Sequence, residues 1–144
     1  MRISGLLRAK GDFVATVAPA ATITEVLARL AEHGVGALVV TEDGTHIIGI
    51  VSERDIARAL HDKGTDVLAQ PVSEVMTSDV RTVGPEDTVD SLMALMTERR
   101  IRHVPVVVDG ELTGIVSIGD VVKHRVHELE NDNAALVEYI QSGR

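Results

Sequence analysis

One stretch of this 144-residue chain occurs twice. Residues 49–55 read Gly-Ile-Val-Ser-Glu-Arg-Asp, and residues 114–120 read Gly-Ile-Val-Ser-Ile-Gly-Asp. Three earlier residues recur at a constant offset of 66 positions: Thr16 as Thr82, Pro19 as Pro85, and Thr22 as Thr88. An internal repeat of this kind predicts two copies of one supersecondary unit, and the repeated Ser-x-x-Asp predicts a repeated site.

Each copy shows the same succession of periodicities. A short extended piece precedes an amphipathic helix that begins at a threonine, two apolar strands joined through an Asp-Gly turn follow, and a second helix begins at the serine of Ser-x-x-Asp. The pattern predicts an α/β (α+β) fold of two pseudo-symmetric β-α-β-β-α repeats packed as one module, with a long C-terminal helix. The predicted pairs of elements are 14–17 and 80–83, the helices from Thr22 and Thr88, the strands 37–41 with 47–51 and 104–108 with 112–116, and the helices from Ser52 and Ser117.

The predicted organisation follows the repeat. Residues 71–76, ahead of the second copy, resemble residues 2–7, ahead of the first, so the lead-in to each copy is repeated as well. The division is a lead-in segment 1–11, a first repeat 12–62, a linker 63–77, a second repeat 78–123 and a C-terminal helical extension 124–144.

The C-terminal extension has the spacing of a coiled coil. Val126, Leu129, Asn133, Leu136 and Ile140 alternate steps of three and four, as a and d positions do, and Asn133 takes an a position, where asparagine restricts register. Two interpretations remain open. The helix pairs with a second copy in a homodimer, or it packs on its own domain.

The composition excludes several classes of function. The formal net charge is −8, and Phe13 and Tyr139 are the only aromatic residues, so the chain lacks the basic surface and stacking platforms that nucleic acids need. No stretch reaches the roughly 18 apolar residues of a membrane span, and no secretory segment is evident, which predicts a cytoplasmic protein without membrane contact. The absence of cysteine excludes disulfides and thiolate chemistry.

The repeated Ser-x-x-Asp has a local and a functional interpretation. Ser52 and Ser117 suit helix N-caps, and Asp55 and Asp120 in the first helical turn offset the helix dipole. The same hydroxyl and carboxylate at a helix start suit a ribose, because a carboxylate accepts both hydroxyl protons of a vicinal diol. Capping does not explain why the preceding Gly-Ile-Val is also identical, since a glycine there indicates close approach by a neighbour or a ligand.

Basic residues are distributed unequally between the copies. Residues 99–103, Arg-Arg-Ile-Arg-His, form the densest basic run, and the first copy has Arg54 inside its Ser-x-x-Asp. Arg102 and His103 lead into a strand and are predicted to serve a phosphate site at Asp120, leaving Arg54 for Asp55. The second copy is therefore predicted to hold the better site. For Arg99 and Arg100 the favoured interpretation is a solvated helix end.

Residues 12–123 resemble a tandem pair of cystathionine-beta-synthase (CBS) domains, the Bateman module. The resemblance rests on the Thr-Val-x-Pro-x-x-Thr entry and the Gly-Ile-Val-Ser-x-x-Asp exit of both copies and on Arg-His-Val-Pro-Val-Val in the second. It implies a regulatory module that binds an adenine nucleotide (AMP, ADP, ATP or NAD(H)) in clefts between the copies. It also implies a homodimer, since such pairs commonly associate, and an effect through dimer shape or an unidentified protein partner.

The resemblance also implies roles for single residues. Asp55 and Asp120 would hold ribose hydroxyls, with Thr16, Thr82, Ser52 and Ser117 adding polar contacts near sugar or phosphate. Arg102 and His103 match positions where the gamma subunits of AMP-activated kinase place phosphate-binding residues, and Arg54 is a third candidate. Pro105 belongs to the same strand motif, and its place at a strand start is also allowed on structural grounds alone. The first copy departs from the pattern with Ala37 and Val39 in place of His103 and Pro105.

The motifs disfavour an enzyme. Ser117, His103 and Asp120 are the residue types of a catalytic triad, but no oxyanion hole is evident and the Gly-x-Ser-x-Gly spacing is missed by one residue. His124 and His127 have no third ligand nearby, so no metal site is predicted. A regulatory binding module is the leading prediction. The alternatives are a ligand-free dimerisation or interaction module and, remotely, a small hydrolase.

Overall fold

A computed structural model describes residues 1–142 of the chain. It has the predicted mixed α+β architecture, with two small sheets, one in each repeat. The elements are α1 (Ile3–Lys10), β1 (Thr16–Val17), α2 (Ile23–His33), β2 (Ala37–Thr41), β3 (Ile47–Ser52), α3 (Glu53–Lys63), two 3₁₀ helices (Thr65–Ala69 and Val72–Glu74), α4 (Val89–Arg99), β4 (His103–Val108), β5 (Glu111–Ser117) and α5 (Ile118–Ser142).

Each repeat has its own apolar core. In the first, β1 pairs with β2 in parallel and β2 with β3 in antiparallel, and the apolar face of α2 packs on this sheet. In the second, β4 and β5 form an antiparallel hairpin against α4. Thr22 caps α2 through the predicted capping box with Glu25, and Thr88 caps α4 by accepting a hydrogen bond from the Ser91 amide. The predicted order of elements is confirmed except for the extended piece at 80–83.

The second repeat lacks a counterpart of β1. The sequence predicts an extended piece at 80–83 matching 14–17, but only Val83 pairs, through a single parallel bridge to Val106. Proline explains the difference. In the first repeat the Val39 amide donates to the Ala15 carbonyl at 3.2 Å, and the counterpart of Val39 is Pro105, which has no amide hydrogen to donate.

Each lead-in segment packs on the repeat that does not directly follow it in sequence. Ile3 and Leu6 of α1 are buried in the core of the second repeat, and Val72 is buried in the core of the first. Matching backbone hydrogen bonds hold both segments: the Ile3 amide donates to Asp87, and the Val72 amide donates to Ala21. Segment 1–11 thus packs on the second repeat, which is distant from it in sequence. Its residues correspond to residues 70–80 at a constant offset of 69 positions.

The lead-in segments account for the duplicated glycine. A Cβ at Gly49 would overlap the sulfur of Met76, and a Cβ at Gly114 would lie 2.9 Å from Cδ2 of Leu7. Met76 and Leu7 are themselves counterparts at the offset of 69. The predicted close approach at this glycine is therefore made by a neighbouring segment of the chain.

The long C-terminal helix is confirmed as α5. Its start is anchored by the buried Val121 and contacts α1 and α4. Every residue from 129 to 142 is exposed, including Leu129 (65%) and Leu136 (56%). The interpretation that the helix packs on its own domain holds for its first turns only, and the predicted a and d positions face solvent.

Candidate functional site

A cavity of about 460 Å³, called here the main cavity, lies between the two repeats. The first repeat contributes the end of β3 and the start of α3, and the second contributes the end of α4 and the start of β4. The volume falls in the range of small-molecule sites. The lining residues are Gly36, Ile50, Ser52, Glu53, Arg54, Asp55, Arg58, Thr77, Asp79, Val80, Arg81, Arg99, Arg100, Ile101, Arg102 and His103.

The first corner, Ser52 and Asp55, forms one wall of the main cavity. Ser52 is the N-cap of α3 and accepts a hydrogen bond from the Asp55 amide at 3.3 Å. Oδ2 of Asp55 in turn accepts from the Ser52 amide at 2.9 Å and from its hydroxyl at 3.0 Å. The local interpretation of the motif is therefore correct here. Oδ1 of Asp55 accepts no hydrogen bond from residues 1–142, so one carboxylate oxygen remains for a ligand hydroxyl.

Six arginines line the main cavity together with this corner, and only three carboxylates do so among the described residues. Arg81 pairs with Asp79 at 3.4 Å. The other five make no ion pair within the described part of the chain. Such a cluster of guanidinium groups, beside the amides of a helix N-terminus, suits a phosphate. The five are Arg54, Arg58, Arg99, Arg100 and Arg102.

His103 lines the main cavity from the first residue of β4. A Cβ at Gly36 would lie 3.3 Å from Cε1 and Nε2 of His103, so the imidazole contacts the opposite repeat closely. Burial lowers the pKa of His103 below its usual value and outweighs the nearby carboxylates of Glu53 and Asp120, which raise it, while Lys10 and Arg102 add to the lowering. Burial thus favours the neutral form of the His103 imidazole.

The second corner, Ser117 and Asp120, has the same cap but different surroundings. Oδ2 of Asp120 accepts from the Ser117 amide at 2.8 Å, and the Ser117 hydroxyl accepts from the Asp120 amide at 3.1 Å. The same Oδ2 is bound by Nζ of Lys10 at 2.6 Å. Burial raises the pKa of Asp120, but the hydrogen bonds from Lys10 and Ser117 outweigh it, so that the net pKa is lowered.

The structure groups the predicted cations differently from the sequence. Arg102 and His103 are predicted to serve Asp120, yet both line the main cavity with Asp55. The reason is geometric. His103 is paired with Ser117 in the hairpin, which places it next to the second corner along the backbone, but its imidazole is directed across to Gly36 in the first repeat.

Three predicted residues lie elsewhere. Thr16 lines a separate, open cavity of about 440 Å³, where its carbonyl accepts a hydrogen bond from Nε of Arg29. Thr82 is exposed and Pro105 is buried in β4, and neither lines the main cavity. Thr82 alternates with Arg81, and successive side chains of an extended segment point to opposite sides, so Arg81 faces the cavity in its place.

Sequence reasoning missed several lining residues. Arg58 lies four positions after Arg54 and three after Asp55, a spacing that places all three on one face of α3, so helical periodicity could have found it. Arg99 and Arg100, interpreted as a solvated helix end, also line the cavity. Thr77 and Asp79 come from the lead-in segment, and nothing in the local sequence signals their position.

Fold and site together define a regulatory ligand-binding module of two pseudo-symmetric repeats. The chain belongs to the CBS-domain family, whose model matches residues 11–62 and 72–127. Both repeats of the sequence are thus copies of one CBS domain, and the predicted resemblance is confirmed.

Relatives of known sequence and structure agree with this assignment. The CBS domain-containing protein CBSX3, mitochondrial, of Arabidopsis thaliana is 40% identical over 126 residues, which cover 85% of this chain and 61% of that protein. The chain thus spans less than two thirds of this relative's length. The crystal structure of the CBS-domain containing protein ATU1752 from Agrobacterium tumefaciens superposes with a TM-score of 0.84 at 44% identity, covering 87% of this chain and 99% of that one.

Ligands are present in a similar structure. The CBS domain pair of protein MJ0100, in complex with 5′-methylthioadenosine and S-adenosyl-L-methionine, has a TM-score of 0.79 and 25% identity, covering 89% of this chain and 98% of that one. Two ligands of that relative therefore share an adenosine moiety.

Two kinds of feature are absent from residues 1–142. None of the helices within residues 1–142 combines the length and the apolar character needed to cross a bilayer. The same residues bring no three His, Asp or Glu side chains together as a metal site. The cytoplasmic location and the absence of catalytic activity stay predictions.

Proposed function

We propose that this protein is a regulatory module that binds an adenine nucleotide, such as AMP, ADP, ATP or NAD(H), in the main cavity. The observation that carries the proposal is the meeting of Asp55 with five arginines that lack ion-pair partners among residues 1–142. A ligand with a diol and a phosphate satisfies both groups at once. The adenosine-containing ligands of the MJ0100 domain pair support the same ligand class.

Different lining residues of the main cavity would bind the ribose, the phosphates and the adenine of a nucleotide. The ribose hydroxyls donate to Oδ1 of Asp55, beside the Ser52 cap. The phosphates lie among the arginines and receive further hydrogen bonds from the start of α3. The adenine packs between apolar side chains that line the same cavity, contributed by both repeats: Ile50, Val80 and Ile101.

Thermal melting with AMP, ADP, ATP, NADH and S-adenosylmethionine, followed by calorimetry, tests the proposal. A ligand at one hundred times its dissociation constant adds about 2.7 kcal/mol to the free energy of unfolding. Asp55→Asn should weaken the binding by about tenfold or more, and Asp62→Asn, an exposed change on the same helix, should leave it unchanged. No melting shift and no heat with any of the five compounds would refute the proposed function.

Adenosine separates the two halves of the site. Arg58→Gln should weaken ATP much more than adenosine, because Arg58 is assigned to the phosphates, and Arg8→Gln on α1 is the matched control. Equal losses for ATP and adenosine would assign Arg58 to the fold instead.

We further propose that the protein is a homodimer in which the exposed stripes of α5 pair, and that the nucleotide acts through dimer shape or a protein partner. The stripe comprises Val126, Leu129, Leu136 and Ile140, each about half exposed or more, with Asn133 at its centre. Parallel pairing would bring the two Asn133 side chains together and bury the four apolar ones.

Light scattering tests the pairing. Leu129→Glu with Leu136→Glu should halve the mass, whereas Asn131→Glu with Ala134→Glu, on the remaining faces of the same helix, should not. A wild-type monomer at high concentration would refute the homodimer. A dimer that binds none of the nucleotides would favour the alternative function, a ligand-free interaction module.

A further inference from the structure

The ion pair between Lys10 and Asp120 lies at the counterpart of the main cavity. Nζ of Lys10 donates to Oδ2 of Asp120 and to the Ile115 carbonyl, both at 2.6 Å. In the first repeat the counterparts of these two groups are Asp55 and Ile50, and both line the main cavity. The Lys10 ammonium therefore occupies the position in the second repeat that corresponds to the main cavity beside Asp55.

The first repeat satisfies the same carbonyl in another way. There the Ile50 carbonyl accepts from the Thr77 backbone amide at 2.8 Å, within an isolated antiparallel bridge. The counterpart of Thr77 is Arg8, which lies inside α1. Because the lead-in segment 1–11, which packs on the second repeat, is helical through Lys10, a side chain has taken the place of the backbone donor.

The charge at this position is reversed between the repeats. The counterpart of Lys10 at the offset of 69 is Asp79, which lines the main cavity and pairs with Arg81. An anion at that place leaves Asp55 available. A cation there binds the carboxylate of the second corner, and both side chains of the pair are about three-quarters buried.

We infer that Lys10 closes the second corner, so that each chain binds one nucleotide, at Asp55, and that Lys10 determines this stoichiometry. The inference rests on the proposed function. Nζ of Lys10 meets the Asp120 carboxylate as an opposite charge, whereas a ribose hydroxyl would meet it as a neutral donor. Displacing Lys10 would also leave its ammonium without a partner at a site where both side chains are about three-quarters buried, so a ribose hydroxyl does not displace Lys10 from Asp120. This reverses the ranking predicted from sequence, in which Asp120 belongs to the better site.

Counting bound AMP per chain by calorimetry and equilibrium dialysis tests the inference, with ATP and S-adenosylmethionine run in parallel. The wild type should bind one equivalent, and Lys10→Ala should bind two. Lys10→Ala with Asp120→Asn should return to one, and Arg8→Ala, an equal charge change in the same helical turn, should stay at one. Lys10→Gln serves as a second variant if Lys10→Ala folds poorly, with circular dichroism as the check.

The outcomes separate the two proposals. Two equivalents bound by the wild type, or one by a folded Lys10→Ala, would overturn the inference and leave the proposed function intact. Loss of the single wild-type event in Asp120→Asn, with Asp55→Asn unaffected, would place the site at the second corner and overturn both. Absence of binding in every variant would refute the proposed function, and the inference with it.

Discussion

His103 reaches from the second repeat to Gly36 in the first, where an added Cβ would lie 3.3 Å from both Cε1 and Nε2 of the imidazole. The missing side chain of Gly36 is what leaves room for His103 at the wall of the main cavity. The φ angle of Gly36 is not positive, so any amino acid could adopt its backbone conformation. Glycine is therefore required at this position only because of the close contact with His103.

Replacing Gly36 should act on ligand binding through His103. Gly36→Val would displace the imidazole and narrow the cavity, and we expect AMP affinity to fall by about tenfold, equivalent to about 1.4 kcal/mol. A double-mutant cycle with His103→Gln checks the route. The two changes should be non-additive, since both remove the same contact. Full additivity would show that Gly36→Val acts without His103.

Nucleotide affinity should rise as the pH falls through the range in which His103 titrates. Burial lowers the pKa of His103 in the free protein, whereas a bound phosphate would raise it, so binding takes up a proton. Above both pKa values the imidazole is neutral in both states and contributes no pH dependence. Between them the affinity should increase by up to about tenfold for each unit of falling pH.

Calorimetry in matched buffers from pH 8 to 5.5 measures this dependence. Titration of the nucleotide's own phosphate contributes equally to the wild type and to His103→Gln, so the difference between their slopes isolates the histidine. Equal slopes in the two proteins would mean that His103 does not meet the phosphate.

The order of elements was predictable because it depends on local signals. Thr22 with Glu25 and Ser52 with Asp55 are capping pairs separated by three residues, and both form as the spacing indicates. The Asp109-Gly110 turn has positive φ at both residues, as a two-residue hairpin requires. These interactions join residues that are close in sequence.

The set of residues that meet in the main cavity was not predictable, because it depends on packing between segments that are distant in sequence. The apolar patterns of 2–7 and 71–76 are alike, and neither pattern indicates which repeat it joins. The direction of His103 is a further example, since its backbone pairs with Ser117 while its imidazole contacts Gly36. The loss of a strand at 80–83 was foreseeable in principle, because Pro105 cannot donate a ladder hydrogen bond.

The glycines of the duplicated motif should differ in how they tolerate alanine. At Gly49 a Cβ would lie 2.9 Å from Cγ of Met76 and 3.1 Å from the Thr77 carbonyl, and at Gly114 it would meet only the Leu7 side chain. We expect both changes to destabilise by about 1–3 kcal/mol, as overpacking does. The loss should be larger at Gly49, because a backbone carbonyl moves less readily than a leucine side chain.

Gly119 is the matched control in α5. A Cβ there would lie 3.6 Å from the Ser117 hydroxyl, an ordinary contact, so Gly119→Ala should stabilise the helix by about 0.5–1 kcal/mol. Urea unfolding of the three variants gives the ranking, and Met76→Ala should relieve part of the cost of Gly49→Ala. Tolerance of alanine at Gly49 without any loss would contradict the packing of the lead-in segment.

The Lys10–Asp120 pair should stabilise the fold at neutral pH and lose this effect in acid. The pKa of Asp120 in the folded protein is lowered, because the hydrogen bonds from Lys10 and Ser117 outweigh the effect of burial. A carboxyl group with a lowered folded pKa contributes stability above its unfolded pKa of about 3.9, and the contribution is lost as the pH falls through the folded value. Lys10→Ala should therefore cost about 1 kcal/mol at pH 7.

Urea unfolding of the wild type and Lys10→Ala at several values between pH 7 and 3 measures the difference. It should be constant down to about pH 4.5 and shrink below that, as the carboxylate of Asp120 becomes protonated in both states. Arg8→Ala removes the same charge from the same helix without touching Asp120, so its effect should follow no such curve. A Lys10→Ala cost that persists unchanged at pH 3 would show that Lys10 stabilises the protein through its aliphatic stem, with no contribution from the carboxylate.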